Sequence, residues 1–196
     1  MDVDMEATGA RPEGPDSRDR VLQARGISEP STASCLLAVD VGNTVTKFGV
    51  FAADELAGTW EVTTSERCTA DEAWAQAACA IDMLGAPEPT SAILSCVVPS
   101  LAEVWRSALG KLCGTRPYAV GPGLKTGIRM RYDDPSEVGS DRVADAVAAL
   151  EKFEPPIVTI DMGTATTIEV VDCGNTYLGG CIIPGVRVSA EALSSH

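Results

Sequence analysis

The chain has 196 residues, 45% of them hydrophobic, and a formal charge of −13 with a single histidine. That apolar content supports one large or two small packed domains, while the negative balance excludes the electropositive footprint that nonspecific binding to nucleic acid or an anionic membrane needs. Its seven cysteines, scattered and without a C-x-x-C pair, argue against a disulfide framework or a zinc site and for a reducing compartment, the cytoplasm.

Residues 1–34 are rich in Gly, Pro, Ser, Asp and Glu and predict a disordered acidic extension, without the basic and apolar parts of a signal peptide. From Cys35 the pattern becomes that of a folded chain. Residues 36–41 read as a buried strand, 45–51 as its partner and 59–63 as a third. Gly42 and Asn43 supply the reversal between the first two, since both tolerate positive φ. Residues 69–84 predict a helix with Thr69 as N-cap and Glu72 as its capping-box partner. Its apolar stripe is Ala73, Trp74, Ala77, Ile81 and Leu84. A strand over 92–98 follows, then a helix opened by Pro99 and Ser100 and running to about 109, and a short strand at 118–120. The loop "GPGLKTG" (121–127) leads toward a helix over 140–153 with Val143, Val147 and Leu150 on one face.

After Pro155 and Pro156 the pattern restarts, with strands at 157–161, 166–171 and 176–183 and a helix beginning near Val188. Each half thus holds a strand, an acidic-Gly-polar turn and two further strands. Such repetition predicts an α/β protein of two related domains facing one another, 35–153 with the linking helix and 154–196. The second is expected to be incomplete, because residue 196 falls inside its last helix.

The turns carry the chemistry. Asp40 ends the first strand and "VGNT" (41–44) follows it. Backbone amides in such a turn form a nest for phosphate oxygens, with the Thr44 hydroxyl as a further donor. Asp40 would repel a bare phosphate, a conflict that a magnesium ion removes. The plainer reading is that Asp40 and Asn43 only shape the hairpin. The second turn, "DMGTATT" (161–167), repeats Asp-x-Gly-Thr and adds hydroxyls at Thr166 and Thr167. "GPGLKTG" is neither a P-loop, since Leu124 stands where the last glycine belongs, nor a G-x-G-x-x-G turn, since Thr126 takes the sixth place. It lines a pocket or merely connects, with Lys125 as an available charge. In "EVGSDR" (137–142) Asp141 and Arg142 fall in the first turn of a helix, where the dipole favours an anion. Asp141 can take a proton from an alcohol and Arg142 can neutralise a carboxylate or phosphoryl group. An N-terminal charge pair of purely structural value is equally open, and Tyr132 can reach a polar substrate or sit in a core. Trp60, Trp74 and Trp105 lack basic interleaving and read as packing residues, and His196 has no assigned role.

Taken in order, "DVGNTVTKFG", "TADE", "GPGLKTG", "DDPSEVGSDR", "DMGTATT" and "YLGGCIIPGVRVSAEAL" closely resemble the type III pantothenate kinases, a family of the superfamily that holds acetate and sugar kinases and actin. The resemblance implies two ribonuclease H-like, actin-like ATPase domains facing across a nucleotide cleft. It also implies ATP-dependent phosphorylation of the primary hydroxyl of pantothenate to 4′-phosphopantothenate, the first step of coenzyme A synthesis. Carried over by matching positions, Asp141 is the general base. Asp40, Gly42, Asn43, Thr44, Lys47, Gly163, Thr164 and Thr166 form the ATP site, with Asp40 meeting Mg²⁺ directly or through water. Tyr132, Gly139, Ser140, Asp141 and Arg142 meet pantothenate, and Asp161 holds a monovalent cation, K⁺ or NH₄⁺. Members are homodimers in the cytoplasm, with no nucleic-acid or membrane partner. The chain departs from the family pattern in its N-terminal extension, in Glu61 and Cys68, which stand where the family often has arginines, and in its shortness. The alternative is a noncatalytic regulatory or nucleotide-binding protein on the same fold.

Overall fold

A computed structural model describes residues 35–53, 55–121, 124–131 and 137–195. The extension expected over 1–34 lies outside them, as do Tyr132 and His196. Strands β1 (Cys35–Val41), β2 (Val45–Ala52) and β3 (Glu55–Thr63) form an antiparallel meander. β4 (Ser91–Cys96) and β5 (Tyr118–Ala119) extend it on the other side of β1, in parallel, so the order is β3-β2-β1-β4-β5. Strict alternation puts Leu37, Val39 and Val41 on one face of β1 and Ala38 and Asp40 on the other. Helices α1 (Ala70–Leu84) and α2 (Pro99–Cys113) cover the apolar face, with Leu101, Trp105 and Leu109 buried against Phe48, Val50 and Leu94. Trp105 and Phe48 meet with ring centroids 5.6 Å apart.

Local signals account for α1. Thr69 and Glu72 form the expected reciprocal capping box, and Gly85 ends the helix in the left-handed conformation at φ 60°. Its buried stripe is Ala73, Ala77, Ala80 and Ile81, whereas Trp74 is exposed and has the Lys111 ammonium 5.1 Å from its ring centroid. Helix α2 runs past the expected end near residue 109, because tertiary packing carries it through Gly110 to a left-handed cap at Gly114. β3 likewise starts earlier than expected, since pairing with β2 extends to Leu56 and Glu55.

The second sheet contains β6 (Arg129–Met130), β7 (Ile157–Met162), β8 (Ala165–Val171) and β9 (Thr176–Pro184) in the order β6-β9-β8-β7. β7, β8 and β9 repeat the meander of β1 to β3. β6, a two-residue strand parallel to β9, carries no sequence signal of its own. Helix α3 (Ser140–Lys152) follows β6, and α4 (Val186–Ser194) follows β9. Val143, Ala146 and Ala149 of α3 join Val138, Ile157, Val171 and Tyr177 in a second core. The helix grouped on sequence with the first domain therefore gives its apolar face to the second sheet, while its first residue, Ser140, bonds to β4.

Candidate functional site

A cavity of about 760 Å³ opens over the face of the first sheet that α1 and α2 leave uncovered. Its size falls within the range of roughly 300–1,000 Å³ usual for small-molecule sites. Both acidic turns line it, as do Asp141 and Asp145 from α3. The motifs read separately from sequence thus line one cavity.

The turns differ in detail. The Gly42 amide donates to the Val45 carbonyl at 3.1 Å, and the Gly163 amide donates to the Ala165 carbonyl at 3.0 Å. Gly42 and Asn43 do not use positive φ, contrary to the sequence expectation. Glycine is needed at position 42 for space, because a Cβ there would lie 2.9 Å from the Val45 carbonyl oxygen. The tips approach one another, with the Thr44 and Thr164 hydroxyls 2.9 Å apart and exposed. Behind the second turn, the Gly185 amide donates to the Thr164 carbonyl at 3.1 Å. A Cβ at 185 would overlap the carbonyls of Gly163 and Thr164.

Four carboxylates face this space: Asp40, Asp141, Asp145 and Asp161. Burial raises the Asp40 carboxyl above its ordinary range. A hydrogen bond from Ser95 opposes that rise, Asp141 adds to it, Lys47 lowers it, and Asp161 raises it further. Lys47 is the register partner of Asp40 on β2 and also lines the cavity. Asp141 accepts the Arg142 amide at 2.7 Å, so one carboxylate oxygen is held at the helix N-terminus. A Cβ on Gly139 would stand 2.5 Å from that oxygen, which makes glycine the residue that leaves the carboxylate its place.

Asp145 lies one turn further along the same helix face. Burial, followed by the charges of Asp161, Glu169, Asp141 and Asp40, pushes it up to about 6. A carboxyl whose pKa rises on folding holds its proton more tightly in the folded chain, so its contribution to stability declines as pH climbs from about 4 to about 6. The penalty is complete above pH 6. Asp145→Asn is expected to stabilise the chain at pH 7.5 by about 1–2 kcal/mol, less than the roughly 3 kcal/mol of a fully effective shift, because solvent screens a half-buried group. The gain should vanish near pH 4, and urea midpoints at the two pH values check it.

Other expected site residues lie elsewhere. Thr166, placed on sequence in the nucleotide turn, is buried and pairs with Met162, while Thr167 pairs with Asp161 and lines the cavity. Strand alternation separates the two hydroxyls to opposite faces. Arg142 is only 7% exposed, and its Nε donates to Glu169 at 2.8 Å. Its charge thus serves a buried pair rather than standing in the cavity. Ser140 is buried too, and its Oγ accepts the Cys96 amide at 2.9 Å. The described part of the glycine loop from Leu124 to Gly127, Lys125 included, does not line the cavity.

Ser95, Asp145 and Glu169 escaped the sequence reading, which names Thr167 as a hydroxyl of the second turn but gives it no place in the site. A signal existed for each. Asp145 sits at i+4 from Asp141 in a predicted helix, Thr167 belongs to a strand of known period, and Ser95 and Glu169 directly follow apolar residues within buried strands, where a polar residue must find a partner. Among the described residues no group of three or more His, Cys, Asp or Glu is gathered as a metal cage, and no helix is long and apolar enough to cross a membrane.

Residues 36–196 match the sequence pattern of the type III pantothenate kinase family. A type III pantothenate kinase of Rubrobacter xylanophilus is 42% identical over 163 residues, 82% of this chain and 62% of that protein. The Syntrophus aciditrophicus protein of the same description is 40% identical over 160 residues, 81% of this chain and 63% of its own length. This chain thus spans under two thirds of these curated relatives. Among solved structures, the ethanolamine utilization protein EutJ of Carboxydothermus hydrogenoformans aligns with 87% of this chain and 60% of its own at a TM-score of 0.48 and 13% identity. From the pattern match over 36–196 and the identity to these relatives, the chain belongs to the type III pantothenate kinase family.

Proposed function

We propose that this chain carries the reaction cleft of an ATP-dependent kinase that phosphorylates the primary hydroxyl of pantothenate to 4′-phosphopantothenate, the opening step of coenzyme A synthesis. One observation supports this above others. The two acidic turns meet at Thr44 and Thr164, 2.9 Å apart, over the cavity that Asp141 also lines. The strand order β3-β2-β1-β4-β5 and the repeated meander β7 to β9 support reading the halves as two ribonuclease H-like domains of the actin-like ATPase type, facing across a nucleotide cleft.

In this reading Gly42, Asn43 and Thr44 receive phosphate oxygens from one side and Gly163 and Thr164 from the other, parting the threonine pair. Thr167 takes the place expected of Thr166. Mg²⁺ carried by ATP needs only one or two protein carboxylates, and Asp40 fits that requirement, with Lys47 beside it to balance charge. Bound there, the ion would neutralise developing phosphate charge. Asp161, an exposed carboxylate beside the second turn, fits a monovalent cation, K⁺ or NH₄⁺. The alcohol oxygen attacks the γ-phosphorus as the bond to the bridging oxygen breaks and ADP leaves, while Asp141 takes the hydroxyl proton. Gly139, Ser140 and Arg142 build the helix start that aims Asp141, and with Tyr132 they stand at the positions that the resemblance gives to pantothenate. A cytoplasmic homodimer completes the proposal.

Incubating the chain with ATP, Mg²⁺, K⁺ and pantothenate should produce 4′-phosphopantothenate and ADP, read by mass spectrometry. Nucleotide binding without product would overturn the kinase reading in favour of a noncatalytic member.

A further inference from the structure

Ser95 lies on β4 on the cavity side of the first sheet and is 6% exposed. Its hydroxyl donates to Asp40 Oδ1 at 2.8 Å and lies 3.1 Å from the Ser140 hydroxyl. A serine hydroxyl has one proton to give. With the Ser95 proton committed to the Asp40 carboxylate, the proton between the two serines must come from Ser140. Ser140 Oγ in turn accepts the Cys96 amide at 2.9 Å. The direction of the whole chain is therefore set: Cys96 N–H to Ser140, Ser140 O–H to Ser95, Ser95 O–H to Asp40. Bonds aligned in one direction polarise one another, and burial strengthens them.

This chain joins the two ends of the cleft. Asp40 stands at the first phosphate turn, and Ser140 directly precedes Asp141 at the start of α3. We propose that Ser95 is a positioning residue that sets the Asp40 carboxylate and the start of α3 in one fixed relation, so that filling of the nucleotide turn is felt at the carboxylate that receives the alcohol proton. The inference rests on the kinase reading for its catalytic consequence and on the bonds alone for its structural one. Removing the Ser95 hydroxyl breaks two links at once and leaves Asp40 buried without that donor.

Hydrogen exchange and kinetics on the whole chain test it with Ser95→Ala, Ser140→Ala, the double variant and Ser95→Thr. Loss of one hydrogen bond of ordinary net strength corresponds to roughly a five- to tenfold change. Exchange at the Arg142 and Val143 amides should therefore quicken by about that factor in Ser95→Ala, with α1 and α2 unaffected and Ser95→Thr restoring the parent rate. Ser140→Ala should do the same, and the double variant should add little, because both changes cut one chain. With Mg²⁺ and ATP present, the parent should slow exchange at these amides and Ser95→Ala should not. Its turnover should drop about tenfold with KM for either substrate little changed. Unaltered exchange at residues 142 and 143, a rise spread evenly over α1 and α2, or fully additive single variants would overturn the inference. A parent chain that binds no ATP would instead sink the kinase reading, and the ligand-free exchange data would still decide the relay.

Discussion

Replacing Asp141 by asparagine is expected to lower phosphoryl transfer by about a hundred- to ten-thousandfold, the range lost when a positioned general base is removed, while ATP binding stays within about a factor of two. Asparagine keeps the size of the side chain and an acceptor oxygen for the Arg142 amide, which now lies 2.7 Å from Asp141 Oδ1. The first turn of α3 is therefore preserved, and only the capacity to take a proton is lost. The two acidic turns at 40–44 and 161–167, proposed above to receive phosphate, belong to strands rather than to α3 and need no contribution from residue 141 to keep their shape. Product formation under single turnover, set beside an ATP titration, separates the two effects. Unchanged turnover in this variant would leave the proposed reaction without its base.

Glu169→Ala should be the most damaging single change to stability, about 3–5 kcal/mol, the cost of stripping one partner from a buried ion pair. Glu169 is 0% exposed. It accepts Arg142 Nε at 2.8 Å through one oxygen and the Thr159 hydroxyl at 2.8 Å through the other. Alanine would remove the carboxylate that Arg142 Nε meets in the core and, with it, the acceptor of the Thr159 hydroxyl. Glu169→Gln keeps one acceptor oxygen for Arg142 Nε and sets an amide NH2 beside the Thr159 hydroxyl, which can turn to accept from it, and with no cavity left behind it should cost less than alanine. Urea denaturation of both variants checks the order, and a loss below about 1 kcal/mol for Glu169→Ala would show that the pair is not what holds α3 to β8. Because Arg142 follows Asp141 directly, loosening this pair should also lower turnover in the fraction that stays folded.

These two residues show where sequence reading works and where it stops. Asp141 announces itself, because a Gly-Ser-Asp-Arg run before an apolar-periodic segment marks a helix start at which a carboxylate meets free amides. Arg142 is announced by the same run but is turned to a different purpose. Its partner lies 27 residues away on β8, and nothing in "GSDR" says whether a guanidinium there will face a cleft or a glutamate. Gly180 makes the same point from the other side. A Cβ there would overlap the Ile168 carbonyl and come 2.9 Å from Arg142 Nη2, a constraint invisible in "YLGG".

The family was legible as a resemblance of ordered motifs. Apart from β6, the order of strands and helices, the capping of α1 and the placing of two Asp-x-Gly turns at strand ends were legible from local rules. Each depends on period, cap or turn chemistry acting within a few residues. Tertiary structure alone decided that Thr167 rather than Thr166 faces the cavity, that Asp145 joins the carboxylates there, that Arg142 is neutralised by Glu169, and that Ser95 ties Asp40 to Ser140. Those outcomes turn on strand register and on contacts between residues far apart in the chain. A local code sets which way side chains alternate, and only the packed partner determines which side becomes the site.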